Sequence, residues 1–222
     1  MLQDYQQTSV CYSDSMQKQH LPWFLLGVVT IVPLLAWLAS YNWRPSITIA
    51  GVFPLLGVLA WSIMATHYYF GWLKIKFPEY FHADRLYGSI TMWLVLALLL
   101  LHPGLLAWQQ FRVFGALPPE SFYATVADAM APFIAMGVFA LVLFLTYEAL
   151  HRFRQNERIK SLWGWVSLSQ VIAMTLIFIH GLAVGQTVLT GWMVGWWVLL
   201  GVLLLPAFYE IVRHDWLKQK EY

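Results

Sequence analysis

Charge and sulfur chemistry are what this chain most conspicuously lacks. Of its 222 residues only 11% are Asp, Glu, Lys or Arg, while 60% are hydrophobic. That balance excludes an ordinary soluble globular domain and marks an integral membrane protein. Cys11 is the sole cysteine and lies in a polar stretch, so intrachain disulfides, thiolate metal sites and dithiol redox chemistry are excluded. A net charge of +2 supplies no basic footprint for a nucleic-acid partner. The ten-residue alternation of an outer-membrane barrel is missing, as are His-Glu-x-x-His and Ser-His-Asp arrangements, which leaves an intramembrane hydrolase without support. The sequence shows no internal repeat or low-complexity tract. Residues 1–20 (MLQDYQQTSVCYSDSMQKQH) lack the basic start and short apolar core of a cleavable signal, and read as a retained cytoplasmic tail.

What remains is apolar and aromatic. Windows long enough to cross a bilayer fall at roughly 21–40, 47–70, 86–108, 128–150, 162–184 and 188–212, predicting an all-α, six-helix transmembrane bundle over 21–212 with a second tail at 213–222. Pro33, Pro54, Pro103, Pro132 and Pro206 fall inside these windows, which a membrane bundle tolerates because neighbouring helices satisfy the freed carbonyls. Gly185, Gln186 and Thr187 are expected to join the last two spans as a tight antiparallel connection. Basic residues assign orientation. Lys18, Lys74, Lys76, Arg85, Arg152, Arg154, Arg158, Lys160, Arg213, Lys218 and Lys220 fall on one side, against Arg44 and Arg112 on the other. The positive-inside rule therefore predicts that both termini are cytoplasmic and that the chain lies in the cytoplasmic membrane, surrounded by lipid.

Depth sorts the seven histidines. His20, His82 and His214 fall in tails or loops and read as solvated surface residues. His102 (LLLLHPGLL) and His180 (LIFIHGLAV) lie inside the third and fifth spans, which run in the same direction, and at matching depth in the outer leaflet. An imidazole in hydrocarbon needs a partner that its own helix does not supply. Two imidazoles at one level suit the axial positions of a heme iron held between helices, with Pro103, Gly104 and Gly181 giving the macrocycle room. His67 and His151 close the second and fourth spans at the cytoplasmic end, where they read first as interfacial anchors and alternatively as ligands of a second heme or an entry site for electrons or quinone. The carboxylates picked out within spans are Glu148 and Asp128, too few for the carboxylate relay of a proton-coupled transporter.

Arg85, Gly88, His102 and Pro103 in DRLYGSITMWLVLALLLLHPGLL, with Trp163 and His180-Gly181 in SLWGWVSLSQVIAMTLIFIHG, resemble the ferric reductase-like transmembrane domain. That six-helix domain is shared by ferric reductases, NADPH oxidases and the heme subunit of the periplasmic methionine sulfoxide reductase system. The resemblance covers about residues 86–184. It implies a b-type heme between the third and fifth helices, with His102 and His180 as iron ligands. Members also carry a second histidine nearer the start of each helix, at positions held here by Gly88 and Ser167, neither of which ligates iron, so a one-heme member is implied. Gly88 lies fourteen residues from His102, roughly 21 Å along the helix axis, too far for a cytoplasmic donor to touch that heme directly. A bridging FAD, FMN or quinone, or a heme on His67 and His151 as in the ascorbate-dependent transmembrane cytochromes b, would span the gap. The expected activity is electron transfer through an oxidoreductase component, from a separate flavoprotein or quinol donor to an outer-side acceptor. Trp108, Gln109 and Arg112 are the expected propionate contacts. The competing class is a membrane subunit without cofactor.

Overall fold

The computed structural model describes the backbone of residues 2–44, 47–78, 85–123 and 128–219. Six long helices carry it: α1 (Leu2–Ser40), α2 (Ile49–Lys76), α3 (Arg85–Phe114), α4 (Ala131–His151), α5 (Trp163–Val184) and α6 (Met193–Gln219), with short helical turns at Glu120–Tyr123, Asp128–Met130 and Glu157–Lys160. Among the described residues there is no strand, and each long helix contains a segment long and apolar enough to cross a membrane. The expected all-α, six-span architecture is the observed one. Both polar tails continue as helix, since α1 starts at Leu2 and α6 ends at Gln219. His82 lies outside the described residues, as do the side chains of His20 and Asp128.

Local chemistry sets the helix ends. Thr48 caps α2, its hydroxyl accepting from the Gly51 N–H at 3.2 Å, which satisfies one of the free donors of the first turn. Pro132 falls within the fourth span, as expected, but at its very start. It sits in the first turn of α4, where a missing N–H costs nothing. The α5–α6 connection is longer than the three residues expected, running over 185–192. Its apolar residues extend the hydropathy signal of α6 although they do not belong to that helix: Val188 is completely buried in the loop.

Inside a bilayer, association rests on packing and on pairing polar atoms. Hydroxyls of Thr30, Thr91, Thr146 and Thr175 donate to carbonyls four residues back on their own helices. Indole and phenol groups stitch helices together. Trp37 of α1 donates to the Gly51 carbonyl of α2 at 2.7 Å, Trp61 of α2 to Met174 of α5 at 3.3 Å, and Tyr69 of α2 to Leu200 of α6 at 2.8 Å. Trp197 of α6 donates to Phe178 of α5 at 3.1 Å.

α2 is the hub. It packs against α1, α3 and α6, and 56% of its most apolar window is buried, against 17% for α3 and 11% for α4. α3 packs chiefly on α2, and α4 chiefly on α5. The bundle is thus two helical hairpins, α2/α3 and α4/α5, bridged on one side by α6 through its contacts with α2 and α5. On the other side α3 and α4 leave a seam, and two cavities lie between the hairpins.

Candidate functional site: two histidine-lined cavities

The first cavity, about 420 Å³, is lined by both His102 and His180. Each imidazole is held in the same way. His102 Nδ1 lies 2.6 Å from the Phe53 carbonyl of α2, and His180 Nδ1 lies 2.8 Å from the Phe133 carbonyl of α4. A carbonyl only accepts, so in both rings Nδ1 carries the proton and Nε2 keeps its lone pair. That arrangement is how proteins orient metal-binding histidines and raise their basicity.

One helical turn beyond each carbonyl stands a glycine against which the ring rests. A Cβ at Gly57 would come within 2.9 Å of His102 Cε1, and one at Gly137 within 2.9 Å of His180 Nδ1. Phe53-Pro-Leu-Leu-Gly57 on α2 and Phe133-Ile-Ala-Met-Gly137 on α4 therefore do the same job for the two histidines. The structure reveals a repeat that the sequence hides: each hairpin offers a Phe carbonyl and a Gly seat on its first helix and a histidine on its second.

The remaining walls are apolar and close-packed. Trp61 and Trp197, both 1% exposed, pack with their rings tilted at 4.0 Å between centroids and line the cavity together with Leu106, Ile134 and Val188. Pro103 and Gly181 line it as expected, whereas Gly104 does not. Gly181 also answers a packing demand, because a Cβ there would meet Trp197 at 2.6 Å. The propionate contacts expected from sequence are not on the walls. Trp108 is exposed and packs against Phe111, Arg112 is exposed, and Gln109, away from the lining, has a buried Oε1 without a partner among the described residues. Pro118 and Gln186, not foreseen from sequence, line the cavity instead.

The second cavity, about 330 Å³, is lined by His67 and His151 and shares Leu99 with the first. Gly88 and Ser167 both face it, so the two positions noted for lacking a histidine do lie at this level. Nothing comes within 4 Å of a Cβ built on Gly88. His151, exposed at the end of α4, stacks on Tyr147 at 5.7 Å and lies 6.0 Å from Trp163, over which Arg154 is placed at 4.3 Å. His67 differs: its Nε2 is buried and has no hydrogen-bond partner among the described residues. The lining is more polar than that of the first cavity. Gln170 donates to the Leu143 carbonyl at 3.1 Å, and Ser167 donates to the Asp215 carboxylate. Asp215 was missed from sequence because the sixth window stops at 212, whereas α6 continues past it.

Among the described residues no group of three or more His, Cys, Asp or Glu is gathered to hold a bare metal ion. A pair of imidazoles with free Nε2 atoms, an apolar cavity and glycine seats suits instead a metal whose equatorial ligands come from a macrocycle. Comparison with protein-family models, curated proteins and solved structures returns no match to the chain.

Proposed function

We propose that this multi-pass membrane protein binds a b-type heme in the first cavity, with His102 and His180 as axial ligands, and serves as an electron-transfer component of a membrane oxidoreductase. The observation that carries the reading is the duplicated support of the two histidines. One histidine hydrogen-bonded to a carbonyl is a common way to satisfy a buried ring. Two, on separate hairpins, with the same Nδ1 contact, the same glycine seat and one apolar cavity between them, is an arrangement built for something that both Nε2 atoms bind.

A heme bound there supplies a one-electron iron couple. The protein's part is to fix both imidazoles in one tautomer through Phe53 and Phe133, to keep the rings in place against Gly57 and Gly137, and to exclude water with Trp61, Trp197 and Val188. By the distribution of basic residues, this cavity belongs to the outer leaflet and delivers electrons to an outer-side acceptor; the donor is a flavoprotein or quinol. The shared lining of the second cavity by His67 and His151 favours one further reading, a two-heme cytochrome.

The test is spectroscopic. Protein purified from cells with ample heme is expected to show a reducible low-spin heme spectrum with one heme per chain, and His102→Ala and His180→Ala are each expected to abolish it. A colourless wild-type protein would overturn the proposal; a ratio of two that falls on His67→Ala would establish the two-heme reading.

A further inference from the structure

The hairpin repeat fixes a register between α2 and α4, and that register separates the two cavities in kind. Phe53 and Gly57 correspond to Phe133 and Gly137, so the position equivalent to His67, ten residues beyond Gly57, is Tyr147, ten residues beyond Gly137. His151 lies four residues further along, roughly 6 Å nearer the end of α4 at 1.5 Å per residue. His67 and His151 are therefore out of step, where His102 and His180 are matched. At one register of the two helices, an imidazole from α2 and a phenol from α4 both line the second cavity.

From this we infer that the second cavity is a binding site for the headgroup of a lipid-soluble quinone, its two oxygens held by His67 Nε2 and the Tyr147 hydroxyl. Three further observations agree. The buried Nε2 of His67 has no partner among the described residues, a costly condition that a ligand oxygen relieves. Gly88 leaves open space in the wall, and among the described residues it is the one glycine lining the second cavity, against four (Gly57, Gly137, Gly181 and Gly185) around the larger first one, so the room suits a single flat ring better than a macrocycle. Glu148 and Asp215 line the same cavity, giving it the polarity that a ligand with hydroxyl or carbonyl oxygens matches and an apolar porphyrin face does not. Entry is available from the bilayer, because α3 and α4 do not close over the seam and the lining residue Leu145 is exposed. A quinone here gives the proposed heme protein its membrane-dissolved electron partner. That role rests on the heme reading, whereas the binding does not.

The test is a titration of the full-length protein in detergent with decylubiquinone, read by quenching of tryptophan fluorescence, with heme content measured on the same samples. Wild-type protein is expected to bind saturably at one site per chain. Tyr147→Phe and His67→Ala are each expected to weaken binding at least tenfold. Gly88→Leu fills the cavity from a position where no neighbour resists a side chain, and is expected to abolish binding while leaving the heme spectrum unchanged. Absence of saturable binding to the wild type, or binding by Gly88→Leu equal to wild type, overturns the inference, as does a second heme that Gly88→Leu removes. Quinone binding by a heme-free wild-type protein would retain the inference and dismiss the heme reading, so the two fail separately.

Discussion

Replacing Gly57 by alanine adds one methyl group at the point where α2 supports His102. The new Cβ would lie 2.9 Å from Cε1 and 3.0 Å from Nδ1 of the ring, so the imidazole has to give way. It is tethered by the 2.6 Å contact to Phe53, only one turn away on the same helix, and moving it strains or breaks that hydrogen bond. Two arguments reach a similar size. Overpacking of a filled site costs about 1–3 kcal/mol; losing the group that orients a metal-bound histidine weakens metal binding about 10–100-fold, or roughly 1.4–2.7 kcal/mol. The fold itself is not expected to suffer as much, since alanine in place of glycine favours a helix by about 1 kcal/mol, which offsets part of the strain. Gly57→Ala is thus expected to lose heme affinity about 10–100-fold with little change in the unfolding temperature of the heme-free protein. Gly137→Ala is expected to do the same through His180. Gly27→Ala, at a site with nothing within 4 Å, serves as the control and should bind heme as the wild type does. Heme titration of stripped protein, followed in the Soret region, measures all three. Wild-type affinity in both Gly57→Ala and Gly137→Ala would refute the idea that the paired glycines exist to seat the histidines.

Other expectations follow from the packing. Trp61 is 1% exposed at the hub of the bundle and donates to Met174 of α5, so Trp61→Ala is expected to cost about 3–5 kcal/mol, seen as a lower thermal midpoint in detergent; a loss under about 1 kcal/mol would contradict the central place given to α2. Tyr87 of α3 shares a hydrogen bond with the buried Thr66 of α2. Tyr87→Phe removes it and is expected to destabilise by about 1 kcal/mol, read as a lower thermal midpoint, while the Thr66 hydroxyl keeps its bond to the Ile63 carbonyl. Arg112→Ala is expected to leave heme content unchanged, since Arg112 lies away from the cavity walls; reduced heme content in this variant would count against the placement.

The six spans and the His102/His180 pair were legible in the sequence because each rests on a strong, local signal: long apolar runs, and an ionisable ring in the middle of one. The glycine seats were not. Gly57 and Gly137 are single residues in helices where glycine is common, and their meaning depends on rings from other helices. The limits of α6 were hidden at both ends for different reasons. Hydropathy does not distinguish a helix from a buried loop, so Val188 reads as membrane span. At the other end polar residues such as His214 and Asp215 read as tail, although α6 carries Asp215 on to the wall of the second cavity. Trp108, Gln109 and Arg112 do not line the first cavity, because position along α3 was weighed without the rotation around it.

The seam between α3 and α4 has a consequence for how the protein is made. With these helices packed mainly on their own hairpin partners, the two halves meet through α2, α5 and α6, and much of the remaining interface is vacant space. A molecule that bridges His102 and His180 joins the halves as a keystone joins an arch. Under the proposed heme binding, loading would be the last step of assembly and a ligand-free chain the looser species that quality-control proteases recognise, because a ligand bound only by the native state stabilises it in proportion to the logarithm of its concentration over its dissociation constant. The abundance of the protein in the membrane would follow the supply of its ligand, with no dedicated regulator required.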